Sequence, residues 1–308
     1  MNERAPSWRT LLRRSVRYAS TAATVLITGE TGVGKDALAR HLHASGPRRG
    51  EPFVTVDCPA IPATLMEAEL FGHERGAFTD ATRPRAGRFE LAGNGTVYLD
   101  SVTSLPLPGQ GALLRVLEER AVTRLGSTTP VRIDARIIAS ADASIAQQVV
   151  DGRFRLELFH RLRVLPIDVP PLRERPSDIL PAARCFVADI CRSWRRSPVK
   201  ISADAREVLV QYHWPGNARE LRNVLERALL NAHYDTEIRV ADLPRELLDR
   251  IDVCQTTPAF RPPTLEHLER RYIILTLHRT RGNQARAAAI LGISRKTLWE
   301  KRKRFGLG

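Results

Sequence analysis

No two of the four cysteines, Cys58, Cys185, Cys191 and Cys254, form a CxxC pair. Neither a metal knuckle nor a disulfide framework is indicated, and a reduced, cytoplasmic compartment is expected. No apolar run nears the roughly 18 residues that a membrane helix needs. The N-terminus lacks the apolar core of a leader, so no membrane partner is expected. The eight histidines are scattered, and His41 and His43, two apart on a helix-like run, share no face and read as structural. Internal repeats and low-complexity tracts are absent. Acid is scarce: 34 Asp and Glu face 48 Lys and Arg, leaving +14 over 308 residues. Such an excess points to a polyanionic partner, nucleic acid before membrane, the alternative being a merely basic surface. The length suits two or three domains, and 43% hydrophobic content suits a globular core.

The strongest positive signal is Gly29-Glu30-Thr31-Gly32-Val33-Gly34-Lys35. It follows the apolar run Thr24 to Thr28 and precedes a helix-like run from Asp36 to His43. Strand, glycine-rich turn, lysine and helix form a P-loop. Glycines let the backbone wrap a phosphate chain. Successive N–H groups and the helix N-terminus face the anion, and Lys35 adds charge for the outer phosphates. The usual Ser or Thr after the lysine is replaced by Asp36. A nucleotide is the expected ligand class.

Residues 1–23 are basic and helix-like from Trp8 to Tyr18. They leave no room for a sensor domain, so control by expression level or by a separate regulatory protein is expected. Pro52 to Asp57, Thr96 to Asp100 and Ala135 to Ser140 read as strands, the second ending in a carboxylate. Leu65 to Phe71 and Gln110 to Arg120 read as helices, the latter with Leu113, Leu114 and Leu117 on one face. Alternating strands and helices imply a mostly parallel sheet covered on both faces. After Pro170-Pro171 no strand is expected. Asp178 to Arg192, Ser202 to Tyr212 and Asn217 to Ala232 read as a smaller helical domain, followed by a linker-like stretch.

In the last segment Leu265, Leu268, Tyr272 and Leu275 mark one helix face. Asn283 to Leu291 is a short Ala-rich helix, Gly292 breaks it, and Ser294 can cap a third helix through Phe305. This is a helix-turn-helix pattern. From Arg281 onward eight Lys or Arg face one Glu, a charge of +7 and half that of the chain. Ser294, Arg295, Lys296 and Thr297 would open the recognition helix, and Lys301, Arg302 and Arg304 would meet phosphates of double-stranded DNA.

Five motifs give the chain a family resemblance. They are the P-loop, Glu69-Leu70-Phe71-Gly72-His73-Glu74, Gly76-Ala77-Phe78-Thr79-Asp80-Ala81, Pro171-Leu172-Arg173-Glu174-Arg175, and Trp214-Pro215-Gly216-Asn217-Ala218-Arg219-Glu220-Leu221. The chain resembles the bacterial enhancer-binding proteins, AAA+ activators of sigma-54 RNA polymerase, from about Trp8 to Leu307. The resemblance implies an α/β fold: a P-loop AAA+ parallel-sheet domain (1–173), a helical lid (174–251), a linker (252–263) and a Fis-type helix-turn-helix (264–308). An acidic residue after the P-loop lysine, here Asp36, is normal in that family. The resemblance also implies roles. Gly29 to Lys35, Asp36 and Arg219 would serve ATP. Asp100 would hold magnesium, and Arg155 and Arg161 would be arginine fingers given to a neighbour. The segment Gly76, Ala77, Phe78, Thr79, Asp80, Ala81 would contact sigma-54. Subunits would pass from dimer to hexamer at an upstream enhancer site.

Four positions depart from the family pattern, at places where chemistry or partner contact is expected. The Walker B Glu is Ser101, and a neutral hydroxyl is no base near neutral pH. The family's Asn before it is Asp57, placed near Ser101 by the resemblance. The sensor I Thr-Asn is Ala141-Asp142, and the sigma loop carries Asp80 in place of its second Gly. Asp enters left-handed backbone less readily than Gly. Slow turnover is therefore expected, the alternative being that Asp57 orients the attacking water. Two functions compete. One is an ATP-driven activator of sigma-54 polymerase. The other is a regulator that uses nucleotide for assembly alone, independently of sigma-54 or in mixed rings with an active paralogue. An AAA+ machine unrelated to transcription is set aside by the C-terminal unit.

Overall fold

The computed structural model describes residues 7–79, 81–232, 237–245, 247, 269, 272–274, 276, 277, 280 and 283–305. The expected linker, and Asp80, lie outside them. The first domain holds helices α1 (Trp8–Ala19), α2 (Lys35–Ala44), α3 (Met66–Phe71), α4 (Arg88–Ala92), α5 (Leu107–Glu119), α6 (Ile145–Val150) and α7 (Leu156–Leu162). Its strands are β1 (Val25–Thr28), β2 (Phe53–Asp57), β3 (Gly72–His73), β4 (Arg85–Ala86), β5 (Thr96–Asp100), β6 (Ala121–Thr123), β7 (Pro130–Arg132), β8 (Arg136–Ala141) and β9 (Leu165–Asp168). Five of them form one parallel sheet in the order β2-β5-β8-β1-β9.

Burial explains that order. Every residue of β8 is buried, as are the first four of β5 and the first three of β1. These apolar runs alternate between two cores, because successive strand residues point to opposite faces. Leu26, Val97, Leu99, Ile137 and Ala139 pack under α3, α4, α5 and α7. Val25, Ile27, Tyr98 and Ile138 pack under α1 and α2. The sheet edges are half-exposed, and edge strand β9 tolerates Pro166, whose missing N–H would break an interior ladder. This strand had no counterpart in the sequence reading. Helix α5 begins at Leu107, three residues before the expected start, with Pro108 in its first turn.

The lid comprises α8 (Ile179–Ser193), α9 (Ala203–Gln211) and α10 (Asn217–Asn231) around fully buried Trp214. It also contains a parallel pair, β10 (Lys200–Ile201) with β11 (Glu237–Ile238), so strands do not stop at Pro171. Two-residue strands carry no alternation that a sequence pattern could show.

The C-terminal unit holds α11 (Gln284–Leu291) and α12 (Arg295–Arg304). Asn283 caps the former rather than joining it, its side chain accepting from the Arg286 N–H. Gly292 ends it at φ 65, a left-handed cap that suits glycine. Ser294 caps α12 by accepting from the Thr297 N–H. Ile273, Ala287, Ala288 and Leu298 form the small core. Tyr272, one of the four residues read as marking one helix face, is exposed, and Ile273 beside it is buried. Leu265, Leu268 and Leu275 lie outside the described residues.

Candidate functional site

The parallel register brings the C-terminal ends of β1, β5 and β8 together at one edge of the sheet, where ligands of such folds bind. The turn after β1 carries Gly29, Gly32 and Gly34, all at positive φ. Gly32 shows why glycine is required. It sits at φ 79, and a Cβ there would meet the Gly216 carbonyl oxygen at 2.3 Å. That close approach is where the lid docks. The Gly32 carbonyl accepts from the N–H groups of Ala218 (3.0 Å) and Arg219 (3.3 Å) at the start of α10.

Asn217 completes the seam. It is fully buried, in a left-handed conformation at φ 53. Its Oδ1 accepts from the Leu172 N–H at 2.7 Å, and its Nδ2 donates to Glu30 Oε2 and to the Thr31 carbonyl, both at 3.1 Å. Glu30 also takes two bonds from the Arg173 guanidinium, at 2.6 and 2.9 Å. These bonds from Arg173, then those of Asn217, hold the Glu30 carboxyl below its ordinary pKa against the opposing effect of burial. Buried Arg175 donates to the Val33 carbonyl at 2.8 Å and lies 5.2 Å from the Trp8 ring. The Trp8 ring approaches Gly34, and its backbone N–H donates to Asp178 at 2.6 Å. Loop, lid and first helix are thus joined through polar groups. Sequence reasoning missed Trp8, Arg173, Arg175 and Asn217 as members of this seam. Two of the motifs held the last three, but their partners lie well over 100 residues away in the chain.

Lys35 is buried, with Nζ donating to the carbonyls of Gly29 (2.6 Å) and Glu30 (3.2 Å) and lying 3.8 Å from Asp142 Oδ1. Desolvation lowers its pKa, and Asp142 and Asp100 oppose that shift. Asp100 ends β5, and its Oδ1 accepts from Ser140 Oγ at 2.5 Å and from Tyr98 OH at 3.1 Å. Ser140, buried in mid-sheet, also accepts from the Ser101 N–H at 2.8 Å. Ser101 adopts a left-handed conformation at φ 58. A magnesium ion fits here. It binds through one or two carboxylates plus substrate phosphates, and Asp100 is anchored through one oxygen while Oδ2 takes no hydrogen bond among the described residues. Asp57 is the register partner of Asp100 and is exposed. No contact joins it to Ser101 among the described residues. Burial and these two carboxylates push the neighbouring Cys58 thiol up to about 12. Asp36, one residue into α2, is ion-paired with Arg40 at 3.0 Å.

Arg155 is the N-cap of α7 and Arg161 lies in its last turn, and both are exposed. Arg155 caps the helix, its N–H donating to Gln110 Oε1 at 2.9 Å. Neither contacts the P-loop among the described residues. The loop after β3 is closed by the Gly76 N–H donating to the Ala81 carbonyl at 2.8 Å. Phe78 rests edge-on against His73, with ring centroids 4.9 Å apart, and Thr79 is exposed. Arg124 ties the loop's base to the domain through Glu74 (3.0 Å) and Glu90 (2.6 Å).

In the C-terminal unit Arg295, Lys296, Trp299 and Lys303 form an exposed stripe on α12, with Lys303 Nζ 5.5 Å from the Trp299 ring. Trp299 and Lys303 were missed by sequence reasoning, although their four-residue spacing on a capped helix carried the signal. Lys301 departs from expectation. Its ammonium is ion-paired with Glu269 and turned toward the first part of the unit.

Residues 1–168 match the Sigma-54 interaction domain, 173–258 the AAA+ ATPase lid domain, and 264–305 the Fis family of bacterial regulatory proteins. The chain belongs to the sigma-54-dependent activator family. It is 39% identical to the transcriptional regulatory protein FlbD of Caulobacter vibrioides over 98% of its own length and 69% of that protein. It is 45% identical to the sigma54-dependent transcriptional activator SfnR of Pseudomonas putida, over 82% of this chain and 69% of that one. NtrX from Brucella abortus, solved in complex with ATP, superposes with a TM-score of 0.73 at 34% identity, covering 100% of this chain and 70% of that chain. The family is one of DNA-binding transcriptional regulators with an ATP-binding AAA+ module. Among the described residues no helix is long and apolar enough to cross a membrane.

Proposed function

We propose that the protein is a DNA-bound regulator of sigma-54 RNA polymerase that binds ATP and hydrolyses it slowly. The observation that carries this reading is the asymmetry at Asp100. The phosphate-binding loop, its lysine and the docked lid are complete, yet the next residue is Ser101, left-handed and without a carboxylate. The backbone of Gly29 to Gly34 and Lys35 would hold the phosphates, with Arg219 over them from the lid. Asp100 would hold magnesium, which when bound neutralises phosphate charge. Ser140 and Tyr98 fix the orientation of that carboxylate. Arg155 and Arg161, exposed on α7, would serve the site of a neighbouring subunit, where an arginine stabilises developing charge. Asp57, the register partner of Asp100, is the acid that would orient water in the alternative reading. Calorimetry with sedimentation tests this. Lys35→Ala abolishes ATP binding and nucleotide-dependent assembly, whereas Arg161→Ala spares binding but weakens assembly. Unchanged ATP affinity in Lys35→Ala would overturn the P-loop assignment.

For DNA, Arg295, Lys296 and Thr297 lie at the N-terminal end of α12, where a recognition helix meets base edges. The phosphate contacts expected of Lys301 pass to Lys303, because Lys301 is held by Glu269. Arg302 and Arg304 keep that role. Arg295→Ala relaxes sequence preference. Lys303→Ala weakens binding uniformly and reduces the salt slope by about one unit. Gel-shift titrations at several salt concentrations decide, and an equal slope change in Lys301→Ala would restore the earlier assignment. Asp80 in the sigma loop favours a second reading, action without sigma-54 or in mixed rings with an active paralogue. In vitro transcription with purified sigma-54 holoenzyme separates the two.

A further inference from the structure

Three carboxylates stand at or just beyond the ends of adjacent strands: Asp57 on β2, Asp100 on β5 and Asp142 after β8. They differ in what they touch. Asp57 is exposed, and Asp100 is tied to Ser140 and Tyr98. Asp142 is the one within 4 Å of the P-loop lysine, its Oδ1 3.8 Å from Lys35 Nζ. The lysine side chain is 9% exposed and the aspartate side chain 48%, so the pair bridges the buried floor of the cleft and its open mouth. A P-loop backbone cradles the first two phosphates of a nucleotide, and its lysine reaches the outer ones. An oxygen bonded to Lys35 Nζ lies within about 3 Å of it. Asp142 Oδ1 is therefore no more than about 7 Å from a phosphate oxygen that Lys35 holds, close enough for the two like charges to interact.

We propose that Asp142 is a resident counterion of Lys35 that selects against the third phosphate, shifting the site's preference from nucleoside triphosphate toward diphosphate. The proposal rests on the P-loop reading above and goes further in assigning a specificity role to a residue outside the loop. The physical basis is twofold. A triphosphate must share or displace the ammonium that Asp142 partners, and it brings its most charged group beside a like charge. A diphosphate ends within the cradle and meets both effects weakly. In a partly hydrated cleft one like charge at this range is worth about tenfold in affinity. Asn at this position would keep the shape and hydrogen-bonding capacity while removing the charge.

The test is calorimetric titration of the full chain with a non-hydrolysable ATP analogue and with ADP, both with magnesium. In Asp142→Asn the analogue should bind about tenfold more tightly and ADP no more than about threefold more tightly, so the triphosphate-to-diphosphate ratio rises. Asp142→Ala should shift the ratio in the same direction. ADP binding by each variant shows that the site is folded. An unchanged ratio in both variants overturns the proposal, as does weaker analogue binding in Asp142→Asn, which would make the carboxylate a ligand. Lys35→Ala separates the two readings. Undiminished binding of both nucleotides there removes the P-loop assignment. Loss of both with an unmoved Asp142→Asn ratio removes this proposal alone.

Discussion

The two walls of the nucleotide cleft are built differently. On the loop-and-lid wall, Glu30, Asn217, Arg173 and Arg175 are joined to one another or to backbone groups, with partners from the P-loop, the segment after β9 and α10. On the strand-end wall, Asp57 is exposed, Asp142 is half-exposed beside Lys35, Asp100 is tied through one oxygen, and Ser101 stands where the resemblance implies a carboxylate. On the proposed function, holding a nucleotide and cleaving it would depend on separate sets of residues. The first set is fixed by several hydrogen bonds at once, of which those from the Leu172 N–H to Asn217 and from Arg175 to the Val33 carbonyl are buried. The second is open to substitution with little structural cost, and there the resemblance read from the sequence places the departures from the family pattern.

The largest expected effect would break the first wall. Asn217→Ala leaves the Leu172 N–H and the Thr31 carbonyl without their partner and puts alanine at φ 53. Leaving buried polar groups unpaired costs about 1–3 kcal/mol each, so a loss of about 3 kcal/mol is expected in thermal or denaturant unfolding. Asn217→Gly removes the side chain without the backbone strain and should recover about 1 kcal/mol of that loss. On the opposite wall, Asp57→Asn should change stability by less than about 0.5 kcal/mol, because surface substitutions rarely do more. If Asn217→Ala costs no more than Asp57→Asn, the contrast between the walls is wrong.

The next effect concerns chemistry rather than stability. Ser101→Glu returns a carboxylate to the strand end, and with Asp57→Asn it restores the family's pairing. Turnover should rise roughly tenfold or more, the scale of a positioned general base, while ATP affinity stays within about threefold. Ser140 bonds the backbone N–H of residue 101, so the change of side chain leaves that bond in place. Brisk hydrolysis in the unaltered protein that collapses in Asp57→Ala would show instead that Asp57 has taken over the base's role.

How much of this was visible in the sequence follows the same division. The P-loop, the buried strands β1, β5 and β8 and the three lid helices each have a local pattern, apolar runs or helical spacing, and the structure has them within a few residues of where the pattern puts them. Asp100 was legible as a carboxylate ending a buried strand. Its anchor Ser140 was not, since a serine in an apolar strand announces no partner. The latch at Asn217 was legible as part of a motif but not as a buried bridge to Glu30, because that bridge joins residues 187 apart in the chain. Strand β9 was hidden by Pro166, and Tyr272 was grouped with Leu265, Leu268 and Leu275 on one helix face because an aromatic among leucines reads as apolar, whereas the buried residue is its neighbour Ile273, one position round the helix.

The smallest effect sharpens the comparison by pH. The Arg173 guanidinium, then Asn217, holds the Glu30 carboxyl below its ordinary pKa of 4.5. A carboxyl lowered in the folded state contributes stability that is complete above its unfolded pKa and is lost as pH falls through the folded one. The latch should therefore be at full strength at neutral pH and weaken only below about pH 4.5. Both partners are 37% exposed, so solvent screening keeps the contribution to about 0.5 kcal/mol. Melting temperatures of the protein and of Glu30→Gln, followed from about pH 7 to about pH 3, read this directly. The gap between them should be constant near neutrality and close as the solution becomes acid. A gap that persists unchanged at the acid end would mean that Glu30 holds the lid through shape and hydrogen bonding alone. The charge on the first wall would then matter to the nucleotide and not to the fold.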